Sequence, residues 1–397
     1  MLPATIASIP KAFAEIKAWT IDAWEGDHRA AARQALKDLL EHRLRGAIDA
    51  YLHAVQRQGL SDRRNGTYSR HLLTELGDLA LAIPRTRTFS PLAILRQYAG
   101  RYARRTAPVE RLILLAFTLG LATRKVGRAL LPLLGEPVSA ATVSQVAKQL
   151  DTAVAAYHRR PLADRYPVLV LDGVVLKRKT GVGAQKRVVL VALGIRPDGT
   201  REVLDFRQAR AESQAEWEGF LSDLYRRGLT GQTLQLIVTD GGSGLQAALP
   251  LVYGTIPVQR CWAHKTRNVL DRVRRTDQAA VKRSLHAISH APTLVAAQQA
   301  AQRCVARWQD RYPAAVRCLT RDLPDLLAFL QVKIPLPPAA LRTTNAIERR
   351  FREVRRRTRP MGTFSDHTSI DRILFALFSH ENHKEGTATP FLLTQNS

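Results

Sequence analysis

The chain has 397 residues, enough for two or three domains and a sizeable buried core. Its 60 Lys and Arg against 34 Asp and Glu leave a formal charge of +26. That excess favours a polyanionic partner, because each neutralised phosphate releases counterions; a high-GC genome that prefers arginine is the bland alternative. No run approaches the roughly 18 apolar residues of a membrane span, and no amphipathic stretch offers a lipid-facing aromatic edge. The first residues lack the basic and apolar segments of a secretory signal. Three cysteines, Cys261, Cys304 and Cys318, make no disulfide framework and suit a reducing cytosol. A cytoplasmic protein with no membrane partner is expected.

Residues 1–60 read as helical. Residues 61–107 read as a basic linker or arm, with Asn65-Gly66 marking a turn. Over 108–160 the pattern is helix, turn, helix: 109–119, 123–134, and a third helix after a break at 135–139. Ser139 is a suitable N-cap for it, and Val138 and Val143 fall at the positions of a hydrophobic staple. The third helix, to Leu150, turns Thr142, Gln145 and Lys148 outward and Val143, Val146 and Leu150 inward. This is a helix-turn-helix-like unit whose last helix fits a major groove; a plain three-helix packing unit gives the same pattern.

From Tyr166 the period changes. Short apolar strands are predicted at 168–172, 187–195, 202–206, 234–240 and 255–259, with a hairpin turn at 196–200. A helix at 213–227, apolar at Trp217, Phe220, Leu221 and Leu224, and another opened by the glycines at 241–244 separate the last strands. Three strands in a meander, then helix, strand, helix, strand, make a mixed α/β sheet, the order of a ribonuclease H-like core. Residues 261–340 are alanine-rich, helical and strandless, an insertion before a helix beginning near Asn345. The core then comprises 161–260 and 341–385, and 386–397 is a tail.

Asp172 and Asp240 each close an apolar strand run. Ligands of open α/β sheets gather at the carboxyl ends of strands. Two carboxylates there and a third from a helix suit two Mg²⁺ ions about 4 Å apart, the apparatus of phosphodiester chemistry. Glu348, at the start of an arginine-rich helix, is the third candidate. Each acid has a duller reading. Strand-end aspartates cap turns, Asn345 with Glu348 forms a capping box, and Arg352 stands at i+4 from Glu348. Cys261-Trp262-Ala263-His264 has metal-like spacing but supplies two ligands where a structural zinc takes four.

Several segments together resemble the mutator-type transposases of bacterial insertion sequences. They are 64–70 (Arg-Asn-Gly-Thr-Tyr-Ser-Arg), 79–87, 138–144, 170–177 (Val-Leu-Asp-Gly-Val-Val-Leu-Lys), 189–204, 238–245 (Val-Thr-Asp-Gly-Gly-Ser-Gly-Leu), 259–268 and 342–364. The likeness covers most of 60–385 and is most specific in Thr-Thr-Asn-Ala-Ile-Glu and the arginines after it. It implies a ribonuclease H-like core with an Asp-Asp-Glu triad falling on Asp172, Asp240 and Glu348, and a Cys-x-x-His element on Cys261 and His264. Many such proteins carry Ala-His after the second aspartate; this chain has Gly241-Gly242.

The resemblance implies a DNA transposase that binds the terminal inverted repeats of its element. Strand cleavage and transfer would use two Mg²⁺ ions, with Mn²⁺ able to substitute. Arg349, Arg352, Arg355, Arg356 and Arg359, with Lys177 and Lys265, are the expected phosphate contacts, which position DNA without reading it. Ser139, Thr142, Gln145 and Lys148 lie on the expected reading helix, and Asn345 supports the triad helix. Pairing two element ends calls for a homodimer or larger assembly. The alternatives are a domesticated regulator without catalysis and a ribonuclease H-like structure-specific nuclease.

Overall fold

The computed structural model describes residues 9–98, 104–180, 183–361, 364 and 366–388. The chain forms two compact units, one of Met1–Phe117 with Leu121–Ala147, the other of Thr118–Gly120 with Lys148–Ser397. Among the described residues, no helix is long and apolar enough to cross a membrane.

The first unit opens with a long helix, α1 (Ile9–Arg57). The expected basic arm is instead an antiparallel hairpin, β1 (Arg64–Thr74) and β2 (Gly77–Thr86), followed by α2 (Leu92–Tyr98). Alternation explains it. Leu72, Leu79, Leu81 and Ile83 form a core with Leu40 and Leu44 of α1, while intervening residues face outward. The Asn65-Gly66 pair is not the hairpin turn. It lies at a register shift within β1, and the chain reverses at Glu75-Leu76. Glu41 reaches from α1 to accept a hydrogen bond from the Ala82 amide at 2.9 Å, fixing the hairpin on the helix.

Three helices follow: α3 (Ala107–Thr118), α4 (Thr123–Leu134) and α5 (Ala140–Ala147). The Thr142 amide donates to Ser139 Oγ at 3.1 Å, the expected cap. Val138 and Val143 are both buried. Helix α5 stops at Ala147, short of the predicted Leu150, so Lys148 sits in the turn before α6 (Leu150–Arg159). Gln145 is exposed and Thr142 half-buried.

The second unit is built on a five-stranded mixed sheet: β3 (Val168–Thr180), β4 (Gly183–Ile195), β5 (Arg201–Ala209), β6 (Leu236–Thr239) and β7 (Val258–Arg260), in spatial order β5-β4-β3-β6-β7. The first three strands form an antiparallel meander, and β6 and β7 add in parallel. Helices α7 (Gln214–Arg226) and α8 (Ser243–Tyr253) bury Trp217, Phe220, Leu221, Leu224, Leu245 and Leu249 in one cluster with the sheet residues Leu169, Leu171, Leu190 and Ile237. Between β7 and α15 (Asn345–Thr358) run α9 (Trp262–Leu270), α10 (Gln278–Ser289), α11 (Leu294–Trp308), α12 (Pro313–Arg321), α13 (Leu323–Leu326) and α14 (Pro338–Leu341). The last helix, α16 (His367–Lys384), packs on β5 and α6.

Helices α4 and α5 approach closely at Gly127, where an added Cβ would lie 2.1 Å from the Val138 carbonyl oxygen. Gly127→Ala is therefore expected to destabilise the first unit by about 1–3 kcal/mol, the usual range for overpacking, read as a lower urea midpoint.

Candidate active site

Strand pairing places the two aspartates. The parallel β3–β6 register runs from Val168↔Leu236 to Leu171↔Thr239 and ends there. The next residue on each strand is Asp172 or Asp240, so adjacent strands deliver the two side by side. Asp172 does not end its strand, as the sequence suggested: β3 continues to Thr180, paired with β4. Because Leu169 and Leu171 face α7 and α8, alternation turns Asp172 to the opposite face. Helix α15, which carries Glu348, packs against β3.

Asp172 is 8 % exposed. One carboxylate oxygen accepts from the Gly173 amide at 2.7 Å. Burial, then the negative charge of Asp240, pushes its pKa up to about 7, with Glu348 adding to the repulsion and His264 opposing it. No Lys or Arg lies within ion-pair distance of Asp172 or Asp240 among the described residues. In a chain of charge +26, two adjacent carboxylates without a side-chain cation have the chemistry of a site for an external one.

The loop after Asp240 is anchored from the far side of the sheet. The Gly242 amide donates to Asp240 Oδ1 at 2.9 Å. Arg260, at the end of β7, donates to the Gly241 carbonyl at 3.0 Å and pairs with Asp322 at 2.8 Å. Gly241 has φ +88°, and a Cβ there would lie 2.2 Å from the Arg260 guanidinium. The Gly-Gly departure therefore matches a left-handed backbone packed under an arginine. At Gly242 an added Cβ would lie 3.5 Å from Asp240 Oδ1 and 3.7 Å from Glu212 Oε2, so a fourth carboxylate stands at this site. The sequence reading passed over Glu212. Its signal was its place just before the α7 cap Ser213, in the connection leaving β5.

Glu348 is placed differently from expectation. Asn345 is the first residue of α15, not its cap, and Thr344 precedes it without a side-chain capping bond. The capping box is absent. The Thr344 hydroxyl reaches Glu348 Oε1 at 3.1 Å and Cys261 Sγ at 3.3 Å, and its amide donates to the same sulfur at 3.3 Å. The Trp262 amide donates to the Arg342 carbonyl at 3.0 Å, joining the start of α9 to the segment before α15. His264 Nε2 lies 3.8 Å from Glu348 Oε1, taking the place expected for Arg352.

Cys261, His264 and Glu348 offer three ligand atoms within 4.8 Å of one another. Cys-x-x-His by itself supplies only two ligands; the fold brings the third. The sulfur beside it, with the Glu348 and Asp172 charges, outweighs burial and pushes His264 up to about 9. Burial pushes the Cys261 thiol up, but its contacts with His264 and Thr344 prevail and leave it below the ordinary thiol range. At neutral pH the ring is a cation facing a carboxylate. The trio thus serves to aim Glu348.

Of the expected phosphate contacts, Arg349, Arg352, Arg355 and Arg356 are exposed on α15, Arg359 is exposed just after its end, and Lys177 is exposed on β3. Arg356 pairs with Glu353 at 2.9 Å. The alternate arginines turn inward: Arg350 is buried and pairs with Glu385 at 2.7 Å, and buried Arg357 pairs with Glu353. Lys265 is a correction. It is 2 % exposed, paired with buried Asp322 and bonded to the Cys318 carbonyl at 3.1 Å, so it meets no DNA. The second turn of α9 points it into the insertion. Beside the site, a groove of about 550 Å³ is lined by Trp262, Arg267, Lys282, His286, His290 and Arg342. Arg342 donates to His290 Nε2 at 2.7 Å.

The family description "Transposase, Mutator family" matches residues 8–386. The chain belongs to the Mutator family of transposases. It is 31 % identical over 359 residues to the transposase for insertion sequence element IS905 of Lactococcus lactis, covering 90 % of this chain and 89 % of that protein. It is 33 % identical over 334 residues to the transposase for insertion sequence element IS1081 of Mycobacterium tuberculosis, covering 82 % and 77 %. A simian T-cell lymphotropic virus intasome structure aligns with 47 % of this chain and 63 % of its own at 15 % identity and TM-score 0.18, too slight a likeness to speak for the fold.

Two measurements test this electrostatic picture. The folded-state pKa of Asp172 lies above its ordinary value of 3.8, so the native state holds more protons between that value and about 7. Stability without divalent metal then falls as pH rises through that window. Asp172→Asn should flatten the dependence and raise metal-free stability at pH 8 by up to about 4 kcal/mol, read by urea denaturation at both ends of the window. Lys265→Ala should cost about 1.5–3 kcal/mol, the value of a hydrogen bond to a charged group, because Arg260 still holds Asp322; the loss is read as a lower urea midpoint rather than only as weaker DNA binding.

Proposed function

We propose that this transposase binds the terminal inverted repeats of its own insertion sequence and there performs strand cleavage and strand transfer. The catalytic unit reads as a ribonuclease H-like core, supported by the order β5-β4-β3-β6-β7 with β4 antiparallel to its neighbours. The observation that carries the reaction is the pairing of Asp172 with Asp240 at the point where the β3–β6 ladder ends, without a basic partner.

The residues present fit Mg²⁺, with Mn²⁺ as substitute. Asp172 and Asp240 offer hard oxygen donors whose mutual repulsion a dication relieves, and Glu348 supplies the third carboxylate. Two such ions would activate the attacking oxygen and stabilise the leaving one. The chain's own contribution is orientation. Arg260 fixes the Asp240 loop, and Cys261 with Thr344 fixes the first turn of α15. Imidazolium His264 faces Glu348 at 3.8 Å. The exposed arginines of α15 and Lys177 would lie along phosphates, and the basic groove of Arg267, Lys282 and Arg342 would take the strand leaving the site.

Helix α5, the last of a helix-turn-helix-like unit, is assigned to sequence reading through Thr142 and Gln145, with Lys148 in the following turn. Ser139 caps it and lies outside the reading set. Joining two element ends calls for at least a dimer on DNA.

Asp172→Asn is expected to abolish Mg²⁺-dependent nicking of labelled repeat ends while leaving gel-shift affinity within a factor of about two. Cleavage at the wild-type rate would remove Asp172 from the site. Replacing Arg352 and Arg355 together by Ala should weaken binding to repeat and unrelated DNA alike and lower the salt slope by about 2, since each phosphate contact contributes roughly 0.9.

A further inference from the structure

We propose that Cys261, His264 and Glu348 form a site for one zinc-class cation, distinct in its donors from the Asp172–Asp240 pair, and that an ion held there withdraws Glu348 from that pair. The withdrawal rests on the reading of Glu348 as a site acid given above; the binding does not.

Backbone anchors bring the three donors together. The Cys261 amide donates to the Thr239 carbonyl at 2.7 Å, which carries the β6–β7 pairing one residue past the end of β7. Cys261 directly precedes α9, so His264, three residues on, lies on the same side of that helix. The bond from the Trp262 amide to the Arg342 carbonyl holds the segment before α15 against this turn, and Glu348 follows in the first turn of α15. The ligand atoms of the three side chains all lie within 4.8 Å of one another, and neither Asp172 nor Asp240 joins the cluster. Glu348 is thus seated with a sulfur and a ring nitrogen rather than with the acids it is expected to join.

The donor set selects the ion. Thiolate and imidazole favour zinc, whereas the all-oxygen aspartate pair suits Mg²⁺. Three protein donors leave the fourth tetrahedral position to water. Zinc bonds of about 2.0–2.3 Å set neighbouring donors roughly 3.3–3.8 Å apart, so the cluster needs to close by about 1 Å, within reach of side-chain rotation. The interior of the cluster is short of partners. His264 Nδ1 is buried without a well-directed hydrogen bond. The Thr344 hydroxyl lies 3.3 Å from Cys261 Sγ and 3.1 Å from Glu348 Oε1, yet its one proton serves a single acceptor. A cation among the three donors satisfies sulfur, ring and carboxylate at once, in place of the proton that the ring carries. The Thr344 amide, donating to the sulfur at 3.3 Å, is the outer bond that steadies a metal-bound thiolate. Cys318 makes a contrast: its sulfur lies 3.8 Å from the Lys265 ammonium, which repels a second cation. An ion held by Cys261 and His264 keeps Glu348 in the seat it now occupies.

The test measures metal binding rather than turnover. Co²⁺, which occupies zinc sites and reports a bound thiolate by a charge-transfer band, is titrated into the full chain. Wild type is expected to develop the band with about one equivalent of Co²⁺, and Zn²⁺ to abolish it by displacement. Cys261→Ser should lose the band, His264→Gln should weaken Co²⁺ binding by at least about tenfold, and Asp240→Asn should keep the band. Absence of the band in wild type overturns the proposal. So does a band that survives in a Cys261→Ser protein melting as wild type does, since the thiolate is then Cys304 or Cys318. If Cys261→Ser does not fold, His264→Gln decides, and unchanged Co²⁺ affinity overturns the site. A band lost in folded Asp240→Asn makes the two sites one and overturns their separation. The withdrawal is read by following free Mn²⁺ with electron paramagnetic resonance. One equivalent of Zn²⁺ should lower Mn²⁺ affinity about tenfold in wild type and leave it unchanged in Cys261→Ser. Equal Mn²⁺ affinity with and without Zn²⁺ in wild type overturns the withdrawal. Mn²⁺ binding indifferent to Asp172→Asn removes the Mg²⁺ reading instead, and the Cys261 band then still supports the zinc site.

Discussion

The register of β6 on β3 is the constraint from which the site follows. Two parallel strands paired to Leu171 and Thr239 place their next residues at the same height, and those residues are Asp172 and Asp240. Shifting either strand by one residue would turn one aspartate into the cluster formed by Trp217, Phe220 and Leu245. The apolar runs on both strands, fully buried, make that shift prohibitive. The core thus fixes a pair of charges that it cannot itself neutralise. Arg260, Asp322 and the insertion behind them then hold the Asp240 loop, and Cys261 and Thr344 hold Glu348.

The arginine-rich helix α15 carries two sets of cations with different tasks. Arg350 and Arg357, on the buried side, spend their charge on Glu385 and Glu353. Arg349, Arg352 and Arg355 are exposed on the helix that carries Glu348, and Arg359 is exposed just after it. A helix of this composition would be a poor surface element alone, and Ile347, Phe351 and Val354 bind it to the unit. Part of the excess charge that suggested a polyanionic partner therefore lies on the helix that carries a site acid.

Much of this was legible in the sequence because it depends on local period. Apolar runs gave the five strands, their order and the strandless insertion, and the break before Ser139 gave the start of α5. Three kinds of feature were not legible. The β1–β2 hairpin was hidden by its basic residues, since only the partner α1 reveals which face of the alternation is buried. Lys265 looked like a phosphate contact because a sequence cannot show that Asp322, from another helix, lies against it. The capping box at Asn345 failed because Cys261 draws Thr344 into the position before the helix.

By itself the sequence determined the family, the two strand-associated aspartates and the charge that calls for DNA. Those features are written in contiguous residues: a specific motif, an apolar strand, a run of arginines. Tertiary structure alone decided what surrounds the acids. It brought Cys261 and His264 to Glu348, put Arg260 over Gly241, buried Lys265, and set Glu212 next to Gly173 and Gly242. Each of those contacts joins residues far apart in the chain, and the energy of a charge depends on its neighbours in space rather than in sequence.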